Sequence, residues 1–142
     1  MWETLYQDRL AAWHQLRQQA ATVPTEQALL LINDWWLQAP MVNRSIAWED
    51  RLHWPDPWNL LTQSGYCELA KALGIVYTIL MTEHVDYTSL TITQTDRDNL
   101  VLINAGKYIL NWAPGEMLNI HSTPITTVKN TIDSSDLVSF LQ

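Results

Sequence analysis

The spacing of apolar residues changes partway along this chain, at Gly74, and that change decides what the chain can fold into. Before Gly74, apolar residues recur every three or four positions, the spacing of one helix face. After it they alternate or run continuously, as strands do. Helices followed by a meander of consecutive strands predict an α+β fold, with N-terminal helices packed on a small antiparallel sheet of about four to five strands. A length of 142 residues suits a single domain over 1–142. Residues 1–62 form a Trp-rich helical half. Residues 63–142 hold a Cys-bearing helix, the meander and a short C-terminal helix.

Local signals place the elements. Trp2, Tyr6, Leu10, Trp13, Leu16 and Ala20 mark a helix over 2–21, stopped by Val23-Pro24. Thr25 caps a second helix, with Glu26 in its first turn, and Ala39-Pro40 ends it. Residues 41–55 read as a loop. Asp56 followed by Pro57 is a cap and first helical residue, so a short helix should run Pro57 to Thr62. Ser64 caps a helix over Gly65 to Leu73, with Gly74 as its left-handed stop. Strands are expected at Ile75–Met81, Thr88–Thr93, Leu100–Ile103, Lys107–Trp112 and Ile125–Val128. Asp133-Ser134-Ser135 caps a last helix ending near Leu141.

Charge and cysteine usage exclude several functions. Eight Lys and Arg stand against 15 Asp and Glu, a net charge of −7 without a basic cluster, so phosphate-backbone binding has no basis and no nucleic-acid partner is expected. The one cysteine, Cys67, forbids an intrachain disulfide. The charged N-terminus is no signal peptide, and the longest apolar run, Leu73 to Met81, is too short for a bilayer. A cytoplasmic protein without a membrane partner is the expectation. No His-x-x-x-His or Cys-x-x-Cys spacing supports a metal, and four scattered glycines make no phosphate cradle, so no cofactor is expected.

Two residues could carry chemistry. Cys67 falls in the first turn of a predicted helix, where backbone N–H groups and the dipole favour thiolate. It is equally a small buried apolar residue on a helix whose other side holds Leu69, Ala70 and Leu73. His84 lies in the turn between the first two predicted strands, between Glu83 and Asp86, as a base or as a solvated turn residue. Seven of the eight tryptophans lie in the first 58 residues. Trp2, Trp13, Trp35 and Trp36 sit at core spacing. Trp48, Trp54 and Trp58, with Asp56, surround a proline-containing loop and are either a cover over the helices or interface anchors.

Gln63-Ser64-Gly65-Tyr66-Cys67-Glu68-Leu69-Ala70-Lys71-Ala72-Leu73-Gly74-Ile75 resembles the nucleophile helix of transglutaminase-like and papain-like cysteine proteins. Asn99-Leu100-Val101-Leu102-Ile103-Asn104 resembles the strand that ends in Asp-Asn in bacterial members. The resemblance covers residues 58–112 and implies a transglutaminase-like fold with Cys67 as nucleophile, His84 as base and Asn104 or Asn111 orienting it. The match departs at the histidine. The family's histidine opens the strand after the first, and here that start reads Tyr87-Thr88-Ser89, with His84 three residues early. The acidic position falls on Ile103, beside Asn104. A second resemblance, carried by Trp35-Trp36-Leu37-Gln38-Ala39-Pro40, Trp54-Pro55-Asp56-Pro57-Trp58 and Gly106-Lys107-Tyr108-Ile109-Leu110-Asn111-Trp112, is to small proteins of tailed bacteriophages, notably those infecting cyanobacteria.

Three functions follow as expectations. The first is a non-catalytic structural or protein-interaction module, as a virion component or phage accessory protein, with a phage or host protein as partner and self-association open. The second is a cysteine-dependent acyl-transfer enzyme using Cys67. The third is a small acidic inhibitor of a host protein, which would need its carboxylates gathered on one face.

Overall fold

A computed structural model describes residues 1–142. Four helices come first: α1 (Tyr6–Ala20), α2 (Thr25–Leu37), α3 (Pro57–Leu61) and α4 (Glu68–Leu80). Four strands follow, β1 (Leu90–Gln94), β2 (Asn99–Ile103), β3 (Tyr108–Leu110) and β4 (Asn130–Asp133). Two 3₁₀ segments, Trp48–His53 and Ser134–Leu141, complete the order. The sheet is antiparallel in the order β3-β2-β1-β4. The α+β architecture is therefore the expected one, with four strands.

Helix α4 is the axis of the molecule. It packs on β1 and β2 on one side and on α2 and α3 on the other, and α1 covers α2. Eleven of its 13 residues are buried, from Leu69 to Ile79. A helix enclosed on all sides has no polar stripe to reveal its period. This corrects two expectations. Ile75–Met81 is the second half of α4, and Gly74 lies inside the helix rather than at its end. A Cβ on Gly74 would stand 2.5–2.6 Å from the Trp36 ring, so glycine is what lets α2 approach α4.

The apolar face of the sheet is made by cross-strand neighbours. Leu90 pairs with Ile103, Ile92 with Val101 and Ile132, and Val101 with Leu110. All six are buried. The expected strand at Ile125–Val128 is not formed, and the fourth strand lies a few residues later at Asn130–Asp133. The last helix is a 3₁₀ segment capped by Asp133, whose carboxylate accepts from the Ser135 N–H at 2.9 Å.

The tryptophans are mostly core. Trp13 and Trp36 both donate their indole N–H to Thr78 Oγ1, each at 2.9 Å, while Thr78 donates to the Gly74 carbonyl at 2.7 Å. Trp2, Trp35, Trp36 and Tyr66 form a cluster with ring centroids 4.6–5.8 Å apart. Arg9 is buried among carbonyls. It donates to Leu61 and Gln63 at 2.7 and 2.8 Å and to Glu3 at 3.0 Å, which fastens the N-terminal residues to the end of α3.

Candidate functional site

Cys67 is not in the first turn of a helix starting at Gly65, as expected, but is the N-cap of α4, which starts at Glu68, with extended backbone at φ −75° and ψ 170°. The residues before it are held by a bridge between Met41 and Tyr66, and the Tyr66 side chain donates to the Leu60 carbonyl at 2.8 Å. Ser45 grips Cys67 twice. Its hydroxyl donates to Sγ at 3.3 Å and accepts from the Cys67 N–H at 3.1 Å. Burial pushes the thiol pKa up, but the Ser45 hydroxyl and the backbone of Ser45, Ile46 and Ala70 together outweigh it, and the thiol lies below its ordinary value.

Cys67 lines a cleft of about 390 Å³ whose walls include Asn43, Trp48, Glu68, Gln94, Asn99 and Asn130. The register explains its polarity. Asn99, Gln94 and Asn130 are cross-strand neighbours on β2, β1 and β4. They continue the face that carries Val101, Ile92 and Ile132, because side chains two apart share a face. The apolar face of the sheet thus ends in a row of three amides beneath the start of α4. Asn130 Nδ2 donates to Gln94 Oε1 at 2.7 Å, and Asn99 Oδ1 accepts the Trp48 indole N–H at 2.7 Å. The Asn99 N–H donates to Glu68 Oε1 at 2.8 Å. Burial, with repulsion from Asp98 added, holds the Glu68 carboxyl above its usual range despite that bond and Lys71. An Arg44–Glu49 ion pair stands at the rim.

The structure separates most of the proposed catalytic set. His84 does not lie between two strands. It follows α4, exposed and at φ 66°. Cys67 precedes the same helix, whose 13 residues span about 20 Å, so the two stand at opposite ends. Asn104 sits in the β2–β3 turn at φ 56°, where its Oδ1 accepts from the Thr88 N–H at 2.7 Å. Asn99 and the cleft lie at the opposite end of the five-residue strand β2. Asn111 alone is brought near. Its Nδ2 donates to the Glu68 carbonyl at 3.1 Å and to the Asn99 carbonyl at 2.7 Å, clamping α4 to β2. His14, His53 and His121 do not line the cleft either. No three His, Cys, Asp or Glu side chains converge as metal ligands.

The loop tryptophans divide. Trp48 and Trp54 are buried and pack edge to face, and Trp54 donates its N–H to the Ala47 carbonyl at 2.7 Å. They cover the fold, and their rings are withdrawn from solvent. Trp58 is 37% exposed and keeps an anchor's access. Asp56 caps α3 by accepting from the Asn59 N–H at 2.8 Å. Sequence reasoning missed Ser45 and the amide row. Ser45 carries no signal, since its contact with Cys67 spans 22 residues of loop and short helix. The amide row could have been found once the strand register was known.

No family model and no curated protein matches the chain. Among solved structures it is similar to Legionella pneumophila LapG, with a TM-score of 0.69 and 16% identity, over 89% of this chain and 75% of that one. It is similar also to the EGTA-treated form of LapG, with a TM-score of 0.69 and 16% identity, over 89% of this chain and 73% of that one. LapG has a transglutaminase-like cysteine-protease fold. At this identity the likeness concerns fold alone: the chain has a transglutaminase-like α+β scaffold.

Proposed function

We propose that the chain is a non-catalytic protein-interaction module on this scaffold, and that its cleft beside Cys67 holds a segment of a partner protein. The observation that carries the reading is the absence of an imidazole from the cleft. The thiol has a hydroxyl and amides around it, the two carboxylates of the cleft are already engaged, Glu68 by the Asn99 N–H and Glu49 by Arg44, and His84 stands at the far end of α4. Acyl transfer needs a group that takes a proton from the attacking thiol and returns it to the leaving group. Amides cannot do this. They donate and accept hydrogen bonds in fixed positions, which suits the backbone and side-chain amides of a bound polypeptide. The bacteriophage resemblance supplies a candidate setting, a virion or the cytoplasm of an infected cell, with a phage or host protein as partner.

The test compares wild type with Cys67→Ser for hydrolysis of fluorescent casein and for incorporation of a dansylated primary amine into casein. The expected result is no difference between the two proteins. A signal present in wild type and lost in C67S would overturn the reading and restore the cysteine-dependent acyl-transfer enzyme.

A further inference from the structure

The ladder of β1 fixes which backbone groups of β4 lack partners. The Asn104 N–H donates to the Ser89 carbonyl at 2.9 Å, and the Thr95 N–H donates to the Asp98 carbonyl at 2.8 Å. Odd-numbered residues along β1 therefore bond toward β2, since hydrogen-bonded and non-bonded pairs alternate in an antiparallel ladder. Ile92 and Gln94 bond the other way, toward Ile132 and Asn130. Thr131 and Asp133 are left with their backbone groups pointing away from the sheet. Two side-chain observations agree. The Thr93 and Thr131 hydroxyls lie 3.4 Å apart, as the closer side chains of a non-bonded pair do. The outward Thr131 carbonyl accepts from Arg51 Nη2 at 3.3 Å.

β4 is thus an edge strand at one end of the sheet, and the Arg51 side chain reaches its outward Thr131 carbonyl. It is exposed at Asn130, Thr131 and Asp133. Its first residue, Asn130, also lines the Cys67 cleft. Edge and cleft therefore meet at Asn130. Arg51 belongs to no ion pair. It is held by the Thr131 carbonyl and by the Trp48 ring, 5.5 Å from its guanidinium.

We infer that β4 receives an extended segment of a partner protein by strand addition, that this segment runs past Asn130 into the Cys67 cleft, and that it carries an acidic residue opposite Arg51. This rests on the non-catalytic reading for the use of the cleft. Strand addition satisfies the outward Thr131 and Asp133 N–H groups, and alternate side chains of the added strand carry specificity. A second copy of this chain is the weaker occupant. Two β4 edges paired about Thr131 would bring both Arg51 guanidinium groups together, and like charges oppose that approach.

The probe is a displayed library of random 12-residue peptides, panned on the full chain. The expected peptides carry an acidic residue near their centre. They bind Thr131→Pro at least ten-fold more weakly, a substitution an edge strand tolerates where the N–H faces outward. They also bind Arg51→Glu more weakly, and they protect the Thr131 amide from hydrogen exchange. N-methylation of the peptide at alternate residues should abolish binding without altering the protein, so the inference does not depend on the proline variant folding. Selection of no peptide, affinities unmoved by T131P and by N-methylation, or protection of Thr131 through self-association would each overturn it. Binding lost in Asn99→Ala but unmoved by edge changes would overturn strand addition and leave the interaction module standing. Cleavage of a bound peptide that is lost in C67S would do the reverse.

Discussion

Thr78 shows how much of this fold rests on single atoms. One hydroxyl accepts two buried indole N–H groups, from helices α1 and α2, and donates to the turn above it. Thr78→Val keeps the shape and removes the acceptor. Two buried donors are then unpaired, and each costs about 1–3 kcal/mol. Urea unfolding of T78V should show a loss of about 2–6 kcal/mol on that basis, and Thr78→Ser should recover most of it. The Cys67 thiol has a comparable dependence on Ser45. Alkylation by iodoacetamide proceeds through thiolate, so its rate rises as pH passes through the thiol pKa. Burial raises that pKa, and the Ser45 hydroxyl with backbone groups of Ser45, Ile46 and Ala70 lowers it further than burial raises it. The wild-type midpoint should fall below the ordinary value of a cysteine thiol. In Ser45→Ala the hydroxyl bond to Sγ is lost while burial persists, so the midpoint should move up. An unchanged midpoint would mean that Ser45 does not set the thiolate.

At the scale of elements, α4 carries the most specific packing. Gly74→Ala improves helix propensity by about 1 kcal/mol in an exposed helix. Here the new Cβ meets the Trp36 ring at 2.5–2.6 Å, and a ring pinned at its N–H by Thr78 cannot withdraw freely. The expected net effect is destabilisation by about 1–3 kcal/mol, read from the thermal midpoint. A rise in that midpoint would show that α2 yields. The same helix explains what could be read from the sequence. α1, α2 and α3 announce themselves, because each has a polar side, a proline boundary or a capping aspartate. Ile75, Val76, Thr78 and Ile79 are β-branched and buried, so the second half of α4 has a strand's composition and no helical stripe. Periodicity alone cannot separate a buried helix from a buried strand. Reading that half as a strand placed His84 between strands, close enough to be a base for Cys67. As a helix it carries His84 about 20 Å away. The error in the element and the error in the site are thus one error. The amide row escaped for a different reason: Gln94 and Asn99 face each other across one hairpin, but Asn130 joins them only through the pairing of β4 with β1, 36 residues away, and such pairing is not written locally.

Over the whole molecule, the two halves distinguished by composition share one core. A continuous cluster of 31 buried residues joins Trp13, Ala28 and Trp36 of the helical half to Ile92, Val101 and Ile132 of the sheet, through Ala70, Leu73 and Tyr77 of α4. Arg9 ties the N-terminal residues to the end of α3, and Asn33 reaches across to the Asn111 N–H at 2.8 Å. Neither half can expose its inner face to water without opening α4, which both bury. The chain should therefore unfold as one unit, as small domains do. Its tryptophans make this measurable. Trp112, the one indole beyond residue 58, is half exposed, so change in tryptophan fluorescence reports chiefly on the helical half. Hydrogen exchange at Ile92, Val101 and Ile132 reports on the sheet. In urea, the fluorescence transition and the loss of sheet protection should share one midpoint, and T78V, although its contacts lie wholly among the helices, should lower both equally. A sheet that keeps its protection after the fluorescence transition is complete would show two separable units and a core that is continuous only in space.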